Sequence, residues 1–338
     1  MKLILAAASV ALVIGSGAVA QETLSSATAD VGSSPHTVMT SIATIAEKAG
    51  LANVQVQEGQ ALTRVQLAVA KGELDLGTIP QITVFLMSKS LAMFKDLGAE
   101  QGAELAGNLK AITGFQAGVY NPIVFADSGI GGWDDLRGKR VFVGAPTGGA
   151  APQVQQMIKL ITGMSPGEDY EAIKLDWGAG IQGMLDGKID VLIRPGVSPD
   201  PFMNRLTSAG KVRILGVPQE VYDSEGFVKF SRAPGTVKAS IDAGLYDADK
   251  VEVLNSGNSL GIGLALVANA GLDEGLVYAL TKAHIANLDA LNASNVWAPS
   301  MELSQAIYGL SPAVGLKMHS GAVKAWEEAG VTIPDHLK

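Results

Sequence analysis

Cysteine is absent from all 338 residues. Disulfides and a lipid-attached cysteine are therefore excluded, and stability has to come from the size of the core. Positive charge is in short supply: 25 Lys and Arg stand against 33 Asp and Glu, for a formal net charge of −8. That balance disfavours nucleic acid and anionic membrane surfaces as partners. Histidine is scarce too, and His36, His284, His319 and His336 are scattered without metal-ligand spacing, so neither a metal nor a cofactor is expected. Long apolar runs are lacking beyond Gln21. The longest candidate, about Leu260 to Ala270, is studded with glycine and falls well short of the roughly 20 residues a membrane span needs.

The start of the chain differs. Lys2 precedes an apolar stretch from Leu3 to Ile14, Gly15-Ser16-Gly17 interrupts it, and Ala18-Val19-Ala20 follows. This is the pattern of a secretory signal peptide over residues 1–20, with cleavage expected after Ala20. The remainder is too long for one small core and suits two domains of about 100 to 200 residues.

An internal repeat organises that remainder. Lys71-Gly72-Glu73-Leu74-Asp75-Leu76 and Asp186-Gly187-Lys188-Ile189-Asp190-Val191 each read as a helix end, a glycine stop and a short apolar strand. The offset of about 115 residues brings other segments into register. In the first copy a strand near Leu24 leads through Asp30–Pro35 into a helix, then a strand near Val54, the loop Glu58-Gly59-Gln60, a helix to Ala70 and the strand at Leu74. In the second, a strand from Arg140 leads through Ala145-Pro146-Thr147-Gly148-Gly149 into a helix, then a strand near Ala172, the loop Asp176–Gly180, a short helix to Leu185 and the strand at Ile189. Strands alternating with helices imply parallel sheets covered on both faces. The expected fold class is α/β, with two doubly wound lobes joined by a hinge around a shared cleft. Lobe I is assigned to residues 21–116 plus 225–338 and lobe II to 117–224. A strand from about Ile112 to Phe125 carries the first crossing, and helices are expected near Leu272 to Leu291 and Pro312 to Ala329.

Parallel sheets bind ligands beyond the carboxyl ends of their strands, which directs attention to the loops there. Ser33, Ser34 and His36 stand at a helix start, where free backbone N–H groups favour an anion or a side chain simply caps the helix. Thr147, Gly148 and Gly149 occupy the matching place in the second copy, and glycine permits close backbone approach. Arg194 follows the apolar strand Val191-Leu192-Ile193, where it could hold a carboxylate or form a structural salt bridge. Gln60 and Trp177 sit in equivalent loops, Trp177 being able to cover an apolar part of a ligand or to pack. Gln81, beyond the Leu74 strand, is a polar candidate. Arg64 opens a helix facing the same side, where a cation is disfavoured without a partner. An enzymatic alternative rests on Gly257-Asn258-Ser259-Leu260-Gly261, which matches a nucleophile elbow but precedes a strand-like segment instead of a helix. The acidic pairs Asp134-Asp135 and Glu168-Asp169 lie in polar turns and are read as solvated.

The segment Asp135-Leu136-Arg137-Gly138-Lys139-Arg140-Val141-Phe142-Val143-Gly144-Ala145-Pro146 resembles the start of the second lobe in type II periplasmic binding proteins. Leu276-Val277-Tyr278-Ala279-Leu280-Thr281-Lys282 and His319-Ser320-Gly321-Ala322-Val323-Lys324 are similar to the TAXI class, the receptors of tripartite ATP-independent periplasmic (TRAP) transporters. The resemblance runs over nearly the whole chain beyond Ala20. It implies a monomeric periplasmic receptor, not an enzyme, that closes around a small organic anion and delivers it to a membrane permease. The anion would be a dicarboxylate or an acidic or amide amino acid such as glutamate or glutamine. The Asp135–Pro146 motif is shared with receptors of ABC importers, so that partner remains an alternative. Two departures stand out. Asp30-Val31-Gly32-Ser33-Ser34-Pro35-His36 replaces the family's glycine-rich loop, and Arg194-Pro195-Gly196 replaces small or hydroxyl residues.

Overall fold

The computed structural model describes residues 21–147, 149–197, 199–200, 202–294 and 303–338. The expected signal peptide and Gly148 lie outside them. In chain order the first copy of the repeat comprises β1 (Glu22–Ala27), α1 (Ser34–Lys48), β2 (Ala52–Gln57), α2 (Leu62–Ala70), β3 (Leu76–Pro80) and α3 (Gln81–Ser88), followed by α4 (Ala99–Gly107) and the long β4 (Leu109–Phe125). The second copy comprises β5 (Arg140–Gly144), α5 (Ala150–Thr162), β6 (Glu171–Lys174), α6 (Trp177–Leu185) and β7 (Val191–Gly196). The remainder holds α7 (Met203–Thr207), β8 (Val212–Ile214), α8 (Gln219–Tyr222), α9 (Glu225–Phe230), β9 (Thr236–Ser240), β10 (Val251–Val253), β11 (Asn258–Asn269), α10 (Glu274–Ala286), α11 (Leu288–Ser294), β12 (Lys317–Met318) and α12 (Ser320–Glu328).

The two copies fold alike. Each ends its second helix on a left-handed glycine, Gly72 or Gly187, after which the N–H groups of Glu73 and Lys188 donate back to Ala68 and Gly183. The aspartate that follows does one job twice. Asp75 Oδ2 accepts from the Ser25 N–H at 2.7 Å, and Asp190 Oδ2 accepts from the Arg140 N–H at 2.8 Å, each across a separation of 50 residues. Each carboxylate thus fastens the third strand of its copy to the first. Packing is complementary where the copies differ. A Cβ on Gly77 of β3 would meet Val65 Cγ1 of α2 at 2.7 Å, whereas in the second copy the glycine is on the helix, and a Cβ on Gly180 would meet the Phe142 ring at 2.6 Å. That contact explains a difference from expectation: the glycine-rich stretch after Asp176 is helical from Trp177, because its glycines make room for Phe142 instead of breaking the chain.

Strand order is β2-β1-β3-β11-β4-β7-β5-β6. Within each copy the strands are parallel, while β11 and β4 run antiparallel to their neighbours on this path. Two separate sheets were expected; one hydrogen-bonded path is found. The reason is the length of the crossing strands, 17 residues for β4 and 12 for β11, against an ordinary strand of about 5 to 6. The first part of β4 pairs with β11 and its last part with β7 and β8. The main hydrophobic core spans both copies, and a second cluster around Phe142, Ile181, Leu192 and Met203 lies under the second copy.

β10 pairs with β8, and Ile241 and Val251 join the cluster under the second copy; from β11 on, the chain returns to the first copy's end of the sheet. β12 pairs with Lys110 and Ala111 at the start of β4, and Trp326 Nε1 of α12 donates to Ile112 O at 2.8 Å. The helix expected from Pro312 is shorter, starting at Ser320 with His319 as its N-cap, because Gly315 takes a left-handed turn and residues 317–318 join the sheet.

Candidate cleft between the two copies

Strand register brings the carboxyl ends of both copies together. β3 ends with Pro80 opposite Leu264, which in turn lies opposite Phe115; β7 ends with Gly196 opposite Val119, which lies opposite Gly261. The two ends therefore meet the crossing strands within a few residues of each other. At that place β4 is interrupted. Gly263 pairs with Gln116 and Ile262 with Gly118, leaving Ala117 as a bulged residue, and Gln116 and Ala117 are half-buried within an otherwise buried stretch. Bulges of this kind bend a strand and leave a backbone group free for other partners. Here the Ala117 carbonyl accepts from Ser34 Oγ at 2.8 Å.

Helices α1, α2, α3, α5 and α6 all follow strands of the repeat, so their N-termini gather on this side. None has an acidic residue in its first turn, a property shared elsewhere only by α7 and α12 among the described α-helices, although Asp176 is the N-cap of α6. Only α1 among the five has a side-chain cap, Ser33 Oγ accepting from the His36 N–H at 3.4 Å. Unpaired N–H groups with the positive end of the helix dipole are thus presented from both copies.

The remaining sequence-selected residues divide by partner. His36 Nδ1 accepts from the Gly32 N–H, which leaves Nε2 to donate to Glu58 Oε1 at 2.8 Å. Gln60 donates to the Glu58 carbonyl. Arg64 is exposed and makes no ion pair among the described residues. Thr147 is exposed, and Gly149 is the N-cap of α5 without a side-chain cap. Trp177 packs edge-on against Phe142 with ring centroids 5.8 Å apart. Arg194 is buried in an ion pair with Asp200, and its guanidinium lies 4.6 Å from the Phe202 ring centre. Burial pushes the Asp200 carboxyl above its ordinary range, with the Arg194 charge opposing. The cation that strand geometry singled out is thus already met by an internal carboxylate.

A family model matches residues 26–330. The chain belongs to the NMT1-like family. No curated protein matches it by sequence. Among solved structures, this NMT1-like protein is similar to the periplasmic aliphatic sulphonate-binding protein SsuA of Escherichia coli (14% identity, 91% of this chain and 83% of that chain, TM-score 0.46). It is also similar to the periplasmic ectoine-binding protein of the TeaABC TRAP transporter of Halomonas elongata (14%, 91% and 90%, 0.45). A third is the putative sulfonate ABC transporter's periplasmic sulfonate-binding protein SsuA from Methylobacillus flagellatus (12%, 87% and 75%, 0.45).

In this NMT1-like chain the glycines around Ser259 serve packing. Ser259 is fully buried in β11 and its Oγ donates to the Tyr120 carbonyl at 2.5 Å, so it is neither at a turn nor exposed, as a nucleophile elbow requires. A Cβ on Gly261 would lie 2.4 Å from the Tyr308 hydroxyl, and one on Gly263 would lie 2.6 Å from Gln81 Oε1. Gln81 itself is fully buried, its Nε2 donating to the carbonyls of Leu264 at 2.9 Å and Tyr308 at 2.7 Å. It ties the start of α3 to β11 and to the segment after Leu303. Tyr308, Gln116 and Ile82 were not singled out in the sequence. The only signal was indirect: two glycines spaced by one residue in a strand mark close approach by something else.

Proposed function

We propose that this protein is a periplasmic solute-binding receptor for a small organic anion, which it encloses between two lobes and releases to a membrane permease. The lobes are residues 21–116 with 225–338, and 117–224. The observation that carries the reading is the convergence, at the bulge in β4, of strand ends and acid-free helix N-termini from both copies. Membership of the NMT1-like family, and the burial of Ser259 in β11 with its hydroxyl donating to the Tyr120 carbonyl, favour binding over hydrolysis. With Arg194 paired to Asp200, the ligand's charge is met chiefly by backbone N–H groups near Ser33 and Ser34 and near Thr147 and Gly149, with Gln60 and Trp177 at the rim and Arg64 as a peripheral cation. A monomer in the TAXI class, serving a TRAP permease, fits the Leu276–Lys282 and His319–Lys324 patterns, which fall on α10 and α12.

The test is calorimetric titration with succinate, glutamate, glutamine and an uncharged analogue of each. The expected result is binding of at least one anion with affinity lost in the uncharged analogue. A chain that binds only neutral or cationic solutes overturns the anion reading. Uptake by the reconstituted transporter driven by an ion gradient supports a TRAP partner, and uptake requiring ATP supports an ABC importer.

A further inference from the structure

One close approach between the two copies lies at the helix N-termini. Ile82, in the first turn of α3, stands on the first copy, and Gly149, the N-cap of α5, stands on the second. A Cβ built on Gly149 would lie 2.6 Å from Ile82 Cγ2, 3.6 Å from its Cγ1 and 3.7 Å from its Cβ. Gly149 has an ordinary right-handed backbone, φ −90° and ψ −10°, so conformation does not demand glycine there. The contact does. Isoleucine is stiff at χ1, and both residues are half-buried, so each has a face open to solvent that separation would enlarge.

We propose that Ile82 and Gly149 form the closing contact of the cleft: the isoleucine side chain seats on the bare glycine backbone when the two lobes come together, and a side chain at 149 holds them apart. This rests on the two-lobed receptor reading. Ile82 is then a positioning residue, setting how near the N-terminus of α5 comes to that of α3, and hence the length of solute that can bridge them.

The natural absence of cysteine makes the test clean. The distance of 3.7 Å between the two Cβ positions falls within the range that a disulfide requires, about 3.5 to 4.5 Å. The Ile82→Cys/Gly149→Cys double variant is oxidised with glutathione disulfide in the absence of added solute. Crosslinking is read as loss of both free thiols, and the radius of gyration is measured by X-ray scattering before and after reduction. The expected result is near-complete crosslinking, with a radius that rises when the bond is reduced. Two reactive thiols that never pair would overturn the proposal, because the lobes would not meet there. Crosslinking with an unchanged radius would overturn it as well, since the contact would then be permanent. A companion pair guards against effects of cysteine itself: in saturating succinate, glutamate or glutamine, Gly149→Ala is expected to enlarge the radius relative to the natural chain, and Ile82→Ala in the same chain to restore it. Failure of the receptor reading looks different: the reduced protein binds no solute in the calorimetric panel, whatever the thiols do.

Discussion

Arg194 shows how a side chain's partner changes its meaning. Its position at the end of β7 is as the strand pattern predicts, yet Asp200, six residues on, lies against it and Phe202 covers its guanidinium. Removing one member of such a pair leaves the other charge buried and alone, which costs about 3 to 5 kcal/mol. Arg194→Gln is therefore expected to lower stability by that order in urea denaturation, and Asp200→Asn in the same chain to recover much of the loss. A fall in solute affinity with stability unchanged would return the arginine to the ligand. His284 offers a pH-dependent counterpart. It is fully buried beside Trp326, and desolvation pulls its pKa from 6.5 down to about 4. The unfolded chain binds a proton below about pH 6.5 that the folded chain refuses until about pH 4, so this group's contribution is complete above pH 6.5 and is lost as pH falls through that window. The loss amounts to about 3 kcal/mol. Melting curves of His284→Leu are expected to fall less steeply between pH 6.5 and 4 than those of the natural chain.

At the scale of elements, β11 illustrates why local pattern can mislead. Its glycines weaken any strand taken alone, and read in sequence they resemble a turn motif. In the fold they are the surface on which Tyr308 and Gln81 rest. Gly261→Ala puts a methyl group where the Tyr308 hydroxyl lies, an overpacking worth about 1 to 3 kcal/mol. Thermal melts should show that destabilisation, and Tyr308→Phe, which removes the obstructing oxygen, should relieve part of it. If the double variant is as unstable as the sum of the two single ones, the clash is not the cause. The helices of the repeat were more readable. Ser33 caps α1 as its residue type predicts, and Gly72 and Gly187 end their helices because only glycine takes the left-handed turn freely.

For the whole molecule the shared sheet has a thermodynamic consequence. Two lobes with separate sheets could melt independently, but β4 and β11 link the copies through one hydrogen-bonded path. The main core also takes residues from both, Leu24 and Ile79 from one and Val141 and Val191 from the other. Unfolding one copy would therefore strip partners from the second. A single calorimetric transition is expected, with calorimetric and van't Hoff enthalpies equal within error. Two resolved transitions would mean that the crossing strands do not couple the halves.

The sequence by itself determined the units: alternating strands and helices, their caps, and a repeat whose paired aspartates sit at matching positions because each bonds within its own copy. Such features depend on neighbours along the chain or on one 50-residue unit. Only the tertiary structure decided strand order, the joining of both copies into one sheet, the partner of Arg194 and the meeting of Ile82 with Gly149. Apart from the Arg194–Asp200 pair, which is local and set by how the chain turns after β7, those outcomes depend on residues far apart in the chain, as when Gln81 reaches Leu264 across 183 residues or Ser259 reaches Tyr120 across 139. Residue type limits which groups can form such contacts, but chain crossing and side-chain packing select the pairs that do.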